Sequence, residues 1–176
     1  MMRAASVLLL ATLSACASST SGSPAVTPIR SQGTVGMSVD SRAHTYTQAI
    51  AYPVDQVWRA LPAVYDSLKI PLNTLDAKTH TIGNDGFKIR RQLGTITLSK
   101  YIECGTTQIG PNADSYEVVL TVLTQVEPGT SGAAKVTTTF ESSARPLAFA
   151  QEYSRCSSKG VLEARLMDVL RSRLTR

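Results

Sequence analysis

Tyr116-Glu117-Val118-Val119-Leu120-Thr121-Val122-Leu123-Thr124-Gln125-Val126 decides the fold, together with Val136-Thr137-Thr138-Thr139-Phe140-Glu141-Ser142. In the first segment Tyr116, Val118, Leu120, Val122 and Val126 share one face at the two-residue period of a strand. In the second, Val136, Thr138, Phe140 and Ser142 alternate with Lys135, Thr137, Thr139 and Glu141. Glu127-Pro128-Gly129-Thr130-Ser131-Gly132 separates them with turn-forming residues, so the pair predicts a long antiparallel hairpin. Threonines at the outer positions suit a solvated sheet face.

Working outward, His44 to Ala51 alternates in the same way, with His44, Tyr46, Gln48 and Ile50 on one side. Tyr52-Pro53 ends that strand. Val54, Val57, Trp58, Leu61, Val64, Tyr65 and Leu68 then recur at steps of three and four, the mark of a helix with one wide buried face. Trp58 is expected in the core, and Pro62 is expected to bend the helix about one turn upstream. Ile70–Asp76 and Lys78–Gly83 read as short strands, Asn84-Asp85-Gly86 as a turn, and Phe87–Gln92 as a half-exposed strand. Gly94–Glu103 fits either a strand or a helical turn around Leu98-Ser99-Lys100-Tyr101-Ile102. Thr106–Asp114 reads as a loop, as does the stretch from Arg145-Pro146 to Cys156. A last helix is expected over about Lys159–Leu174, capped by Ser157 or Ser158, with Leu162, Leu166, Val169, Leu170 and Leu174 inward. The order strand, helix, antiparallel strands, helix makes this an α+β chain.

That order resembles the helix-grip architecture, a curved antiparallel sheet packed on a long C-terminal helix. The segment Ile50-Ala51-Tyr52-Pro53-Val54-Asp55-Gln56-Val57-Trp58-Arg59-Ala60-Leu61 is similar to the opening of that superfamily, where a first strand leads into a short helix carrying Val-Trp. With Leu68-Lys69-Ile70 it is also similar to the helix-grip domains of the outer-membrane assembly lipoprotein called component C, which has two such domains where one fits here. The resemblance spans roughly Thr45 to Leu174. The Cys156-Ser157-Ser158-Lys159-Gly160 element belongs to neither pattern, which points to a separate lipoprotein family with this fold.

The N-terminus carries a second resemblance. Met1-Met2-Arg3 precedes an apolar run from Ala4 to Leu13, shorter than the roughly 20 residues that cross a bilayer. It ends in Leu13-Ser14-Ala15-Cys16, which resembles the lipobox of bacterial lipoproteins. The resemblance implies a signal peptide over 1–15 and Cys16 as the lipidated residue; an ordinary signal peptide with an incidental Cys is the alternative. Ala17 after the Cys implies the outer membrane, with the inner membrane as alternative. Residues 16–42 are rich in Ser, Thr, Gly and Pro and read as a lipidated tether, leaving 43–176 as a single domain. Lipidation of Cys16 would leave Cys104 and Cys156 as an even pair. In an exported chain these read as a disulfide, with two separate buried thiols as the competing reading.

The chain has 18 basic and 13 acidic side chains, a net +5, and loss of a leader would remove Arg3. Apart from Arg90-Arg91 and the group Arg165, Arg171, Arg173 and Arg176, the basic residues are scattered. They form no stripe interleaved with aromatics, so no nucleic-acid partner is expected. The C-terminal arginines suit the dipole of a helix end. The sequence has no G-x-S-x-G, H-E-x-x-H, Ser-x-x-Lys, phosphate loop or C-x-x-C, and His44 and His80 stand alone. No catalytic residue, metal or cofactor is expected. Two readings of function remain. One is a non-enzymatic envelope module, held to the membrane by lipid and binding an envelope protein. The other is a carrier of a small apolar ligand, with Tyr116, Val118, Leu120, Phe140, Leu166 and Leu170 lining a cavity between sheet and last helix; in the first reading the same residues fill that space.

Overall fold

The computed structural model describes residues 44–148 and 150–176. The expected leader, Cys16 and the tether to residue 42 lie outside these described residues. Within them the chain is α+β, with a mostly antiparallel sheet and a C-terminal helix.

The central hairpin forms as its alternation dictates. β9 (Glu117–Pro128) and β10 (Ala134–Arg145) pair from Ala134↔Pro128 to Arg145↔Glu117, with a 3-10 turn at Thr130–Gly132 between them. Other strands add on both sides. β1 (His44–Ile50) pairs with the first half of β10, and β11 (Ser154–Ser158) with the second half. β3 (Thr81–Arg90) lies on the far side of β9 and carries β2 (Thr74–Asp76). β6 (Ile102–Glu103) closes the other end on β11. The order is β2-β3-β9-β10-β11-β6, with β1 also on β10. The minor pairs are β4 (Gln92–Leu93) with β5 (Ile96–Thr97), and β7 (Thr106–Thr107) with β8 (Gly110–Pro111).

Three α-helices are present among the described residues. α1 (Val54–Leu68) buries Val57, Leu61, Val64, Tyr65 and Leu68, and it packs on β3, β9, β10 and the C-terminal helix. It spans Pro62 as one continuous element and ends at Lys69, whose left-handed backbone closes the last turn. α2 (Asn112–Ser115) is a single turn. α3 (Val161–Leu174) buries Leu162, Leu166, Met167, Leu170 and Leu174 in the same core as the inner sheet face. A polar chain crosses this core: the Tyr65 hydroxyl lies 2.9 Å from Thr124 Oγ1, which lies 3.1 Å from Thr138 Oγ1. Burial pushes the Tyr65 hydroxyl above the ordinary tyrosine range, partly opposed by the Thr124 hydrogen bond.

Several expectations are corrected. Asn84-Asp85-Gly86 is not a turn between strands but a bulge inside β3, where the register on β9 shifts between Asn84 and Phe87. The buried Asn84 side chain donates to Pro71 O and accepts from Gly86 N, which holds the bulge. Ile70–Asp76 shortens to the three residues of β2. Thr106–Asp114 contains the β7–β8 pair and the start of α2. The loop expected to run to Cys156 gives way to β11 from Ser154. Gly94–Glu103 combines both readings, with short strands around a 3-10 turn at Leu98–Lys100. Gly160, not a serine, occupies the cap position of α3, and Ser158 Oγ accepts the Gly160 N–H. Trp58 sits at the margin of the core, half-buried, its ring edge-on to His80 at 5.4 Å between centroids.

Candidate functional site

Cys104 and Cys156 form a disulfide. Sheet register explains why these two meet. β11 pairs with β6 through Ser158↔Ile102 and Ser157↔Glu103, so the next position opposes Cys156 to Cys104. Their Cα atoms are 4.5 Å apart, the spacing of directly opposed residues in an antiparallel pair. Cys16, the other expected site residue, lies outside the described residues.

The residues expected to line an internal cavity divide into two groups. Val118, Leu120, Phe140, Leu166 and Leu170 are at most 1% exposed, so they leave almost no surface for a water-sized sphere and fill the space between sheet and helices. Tyr116 instead lines an open cleft of about 650 Å³ at one end of the sheet, within the size range of small-ligand sites. Two distant segments build this cleft: Thr107, Gln108, Ile109 and Ser115 from one side, and Pro146, Leu147, Ala148 and Gln151 from the other. Ile109 is 85% exposed and Leu147 53% exposed, so two large apolar side chains stand in water beside one cleft.

A charged cluster adjoins it along the chain. Register sets Arg90, Glu117 and Arg145 abreast across β3, β9 and β10. The Glu117 carboxylate accepts from Tyr153 Oη at 2.5 Å, from Arg145 at 2.9 and 3.2 Å, and from Arg90 at 3.2 Å. Lys88 Nζ stands 3.6 Å away, and the Arg145 guanidinium covers the Tyr153 ring at 4.7 Å. The Tyr153 hydrogen bond, then that of Arg90, outweigh the cost of burial; with Arg145 and Lys88 they hold Glu117 at about 2, against an ordinary value of 4.5. Because the folded value is depressed, this contribution to stability is present above pH 4.5 and is lost as pH falls through about 2. Wild type should therefore lose more stability than Glu117→Gln across that window. Urea midpoints measured at several pH values test this, and parallel losses would contradict it.

A second carboxyl is buried outright. Glu163, in the first turn of α3, has no side-chain exposure. Its Oε1 accepts from Ser158 Oγ at 2.6 Å and lies 2.8 Å from His44 Nδ1. Its Oε2 is buried and has no hydrogen-bond partner among the described residues. In the sequence His44 stands alone, and nothing there points to a contact with Glu163. The structure instead joins them across 119 positions. Both contacts fall on one carboxylate oxygen, so the carboxylate stands between serine and imidazole. An activated serine needs the imidazole in that middle position. Among the described residues no cluster of three or more His, Cys, Asp or Glu is placed to hold a metal.

The C-terminal arginines make contacts beyond the helix dipole. Arg171 pairs with Asp168 at 3.3 Å and donates to Gln48 Oε1, and Arg173 donates to Ser67 Oγ at 2.6 Å. They tie α3 to β1 and α1. No family model and no curated protein matches this chain.

Proposed function

We propose that this chain is a lipid-anchored protein of the bacterial cell envelope, placed at the outer membrane. Its helix-grip domain would serve as a non-enzymatic interaction module. The observation that carries this reading is the cysteine arrangement. The Cys104–Cys156 disulfide accounts for two of three cysteines and leaves Cys16 as the odd one, at the end of an apolar run. Disulfides persist in oxidising compartments, which supports export. The α+β arrangement, with α3 sharing a core with the sheet, supports the helix-grip assignment. The filled interior favours an interaction module over a carrier with its ligand between sheet and α3, and the cleft at the sheet end gives the module a contact surface.

The test is metabolic labelling with palmitate in a bacterial host. The wild-type chain should take up label and partition into the detergent phase. Cys16→Ser should take up no label while its Cys104–Cys156 bond still forms. Unlabelled wild type, or equal labelling of both, would remove the anchor from this reading.

A further inference from the structure

We propose that the cleft end of the sheet is a docking surface for anionic lipid headgroups, with Ile109 and Leu147 entering the apolar boundary beneath them. The inference names the partner of the interaction module and rests on that reading, but it does not require lipidation of Cys16.

Three observations converge on it. First, the exposed apolar side chains of Ile109 and Leu147 come from segments far apart in sequence, and both line one cleft. Exposed apolar surface gathered in one place marks an interaction site more than scattered residues do. Second, each wall of that cleft runs straight into the cationic cluster. Tyr116 precedes Glu117, Pro146 follows Arg145, and Gln151 lies two positions before Tyr153. Apolar tips and cations therefore occupy the same end of the molecule. Third, the cluster is overcharged: Lys88, Arg90 and Arg145 face one carboxylate, an excess of two positive charges.

The cations have capacity left. Their side chains remain 62%, 57% and 38% exposed, and a guanidinium has five N–H donors of which Glu117 takes one from Arg90 and two from Arg145. In the segment that carries Tyr153, Glu152 and Arg155 are of opposite charge, so that segment adds no net charge. Apolar side chains flanked by fixed cations complement an anionic membrane, whose phosphates lie just above its acyl boundary. A neutral protein groove would meet the apolar tips and leave the charge unmatched.

Hydrogen exchange on the full chain reconstituted in vesicles tests the proposal. Either an acylated Cys16 or an uncleaved apolar leader would hold the chain there, so failure of the anchor reading, seen by palmitate labelling, leaves this test intact. On phosphatidylcholine vesicles containing phosphatidylglycerol, amides over 107–110 and 147–148 should exchange about tenfold more slowly than on phosphatidylcholine alone. High salt should reverse the protection. Ile109→Asp with Leu147→Asp should abolish it, and Lys88→Gln with Arg90→Gln should weaken it, while the β9–β10 amides report an unchanged fold. Equal exchange on the two vesicle types overturns the proposal. So does protection that survives the Ile109 and Leu147 substitutions.

Discussion

Replacing Cys104 and Cys156 together with alanine should destabilise the domain by about 2–5 kcal/mol. The two residues are 52 positions apart, and for a loop of that length the chain-entropy argument gives roughly 4 kcal/mol. The bond also has a local task. β6 pairs with β11 through only two residue pairs, and β11 with β10 through three. Without the disulfide, these two short ladders, the Lys159–Glu103 ion pair and the buried Ile102 would be left to hold this margin of the sheet. Urea denaturation of the oxidised chain against the double variant measures the loss. A thiol titration of the unreduced wild type should find neither Cys104 nor Cys156 reactive. Coincident urea curves would show that the crosslink contributes nothing to stability.

Gly83→Ala should cost about 3 kcal/mol or more, or prevent folding. Gly83 sits in β3 just before the bulge at φ +151°, where L side chains are strained. A methyl group there would lie 2.0 Å from Val122 O and 2.9 Å from Leu123 Cα. Both are backbone atoms of β9, the central strand, and cannot swing aside as a side chain can. Relief requires β3 to lift from β9, taking β2 with it. Gly86→Ala is the informative control: the same strand and a similar φ, but its nearest contact would be a Val119 methyl at 3.7 Å. Thermal unfolding of the two variants separates contact from strain. Equal losses would assign the cost to backbone conformation alone.

Much of the fold was legible where one face of an element is apolar and the other is not. β1, α1, the β9–β10 hairpin and α3 all carry that contrast, and burial follows their periodicity. β11 carries none. Ser154-Arg155-Cys156-Ser157-Ser158 is polar apart from Cys156, and only pairing on both sides makes it a strand. Asn84-Asp85-Gly86 carries a signal shared by turns and bulges. A hydrogen bond to Pro71 O selects the bulge, and that contact crosses 13 positions. The cysteine count identified the disulfide pair because pairing depends on number and compartment as well as geometry. The cleft was not legible, since its walls come from two loops with no common pattern. Nor was the burial of Glu163, because a glutamate in a first helical turn reads the same whether water or His44 faces it.

The place of β1 in the sheet governs the order in which the chain can fold. Its sheet partner is β10, and Thr47 meets Thr137 90 positions later. α1 likewise packs on α3 near the C-terminus. A chain emerging N-terminus first presents β1 and the apolar face of α1 long before either has its partner. The β9–β10 hairpin, whose contacts are local, can close first and act as the template. Until then β1 and α1 would need shielding from aggregation.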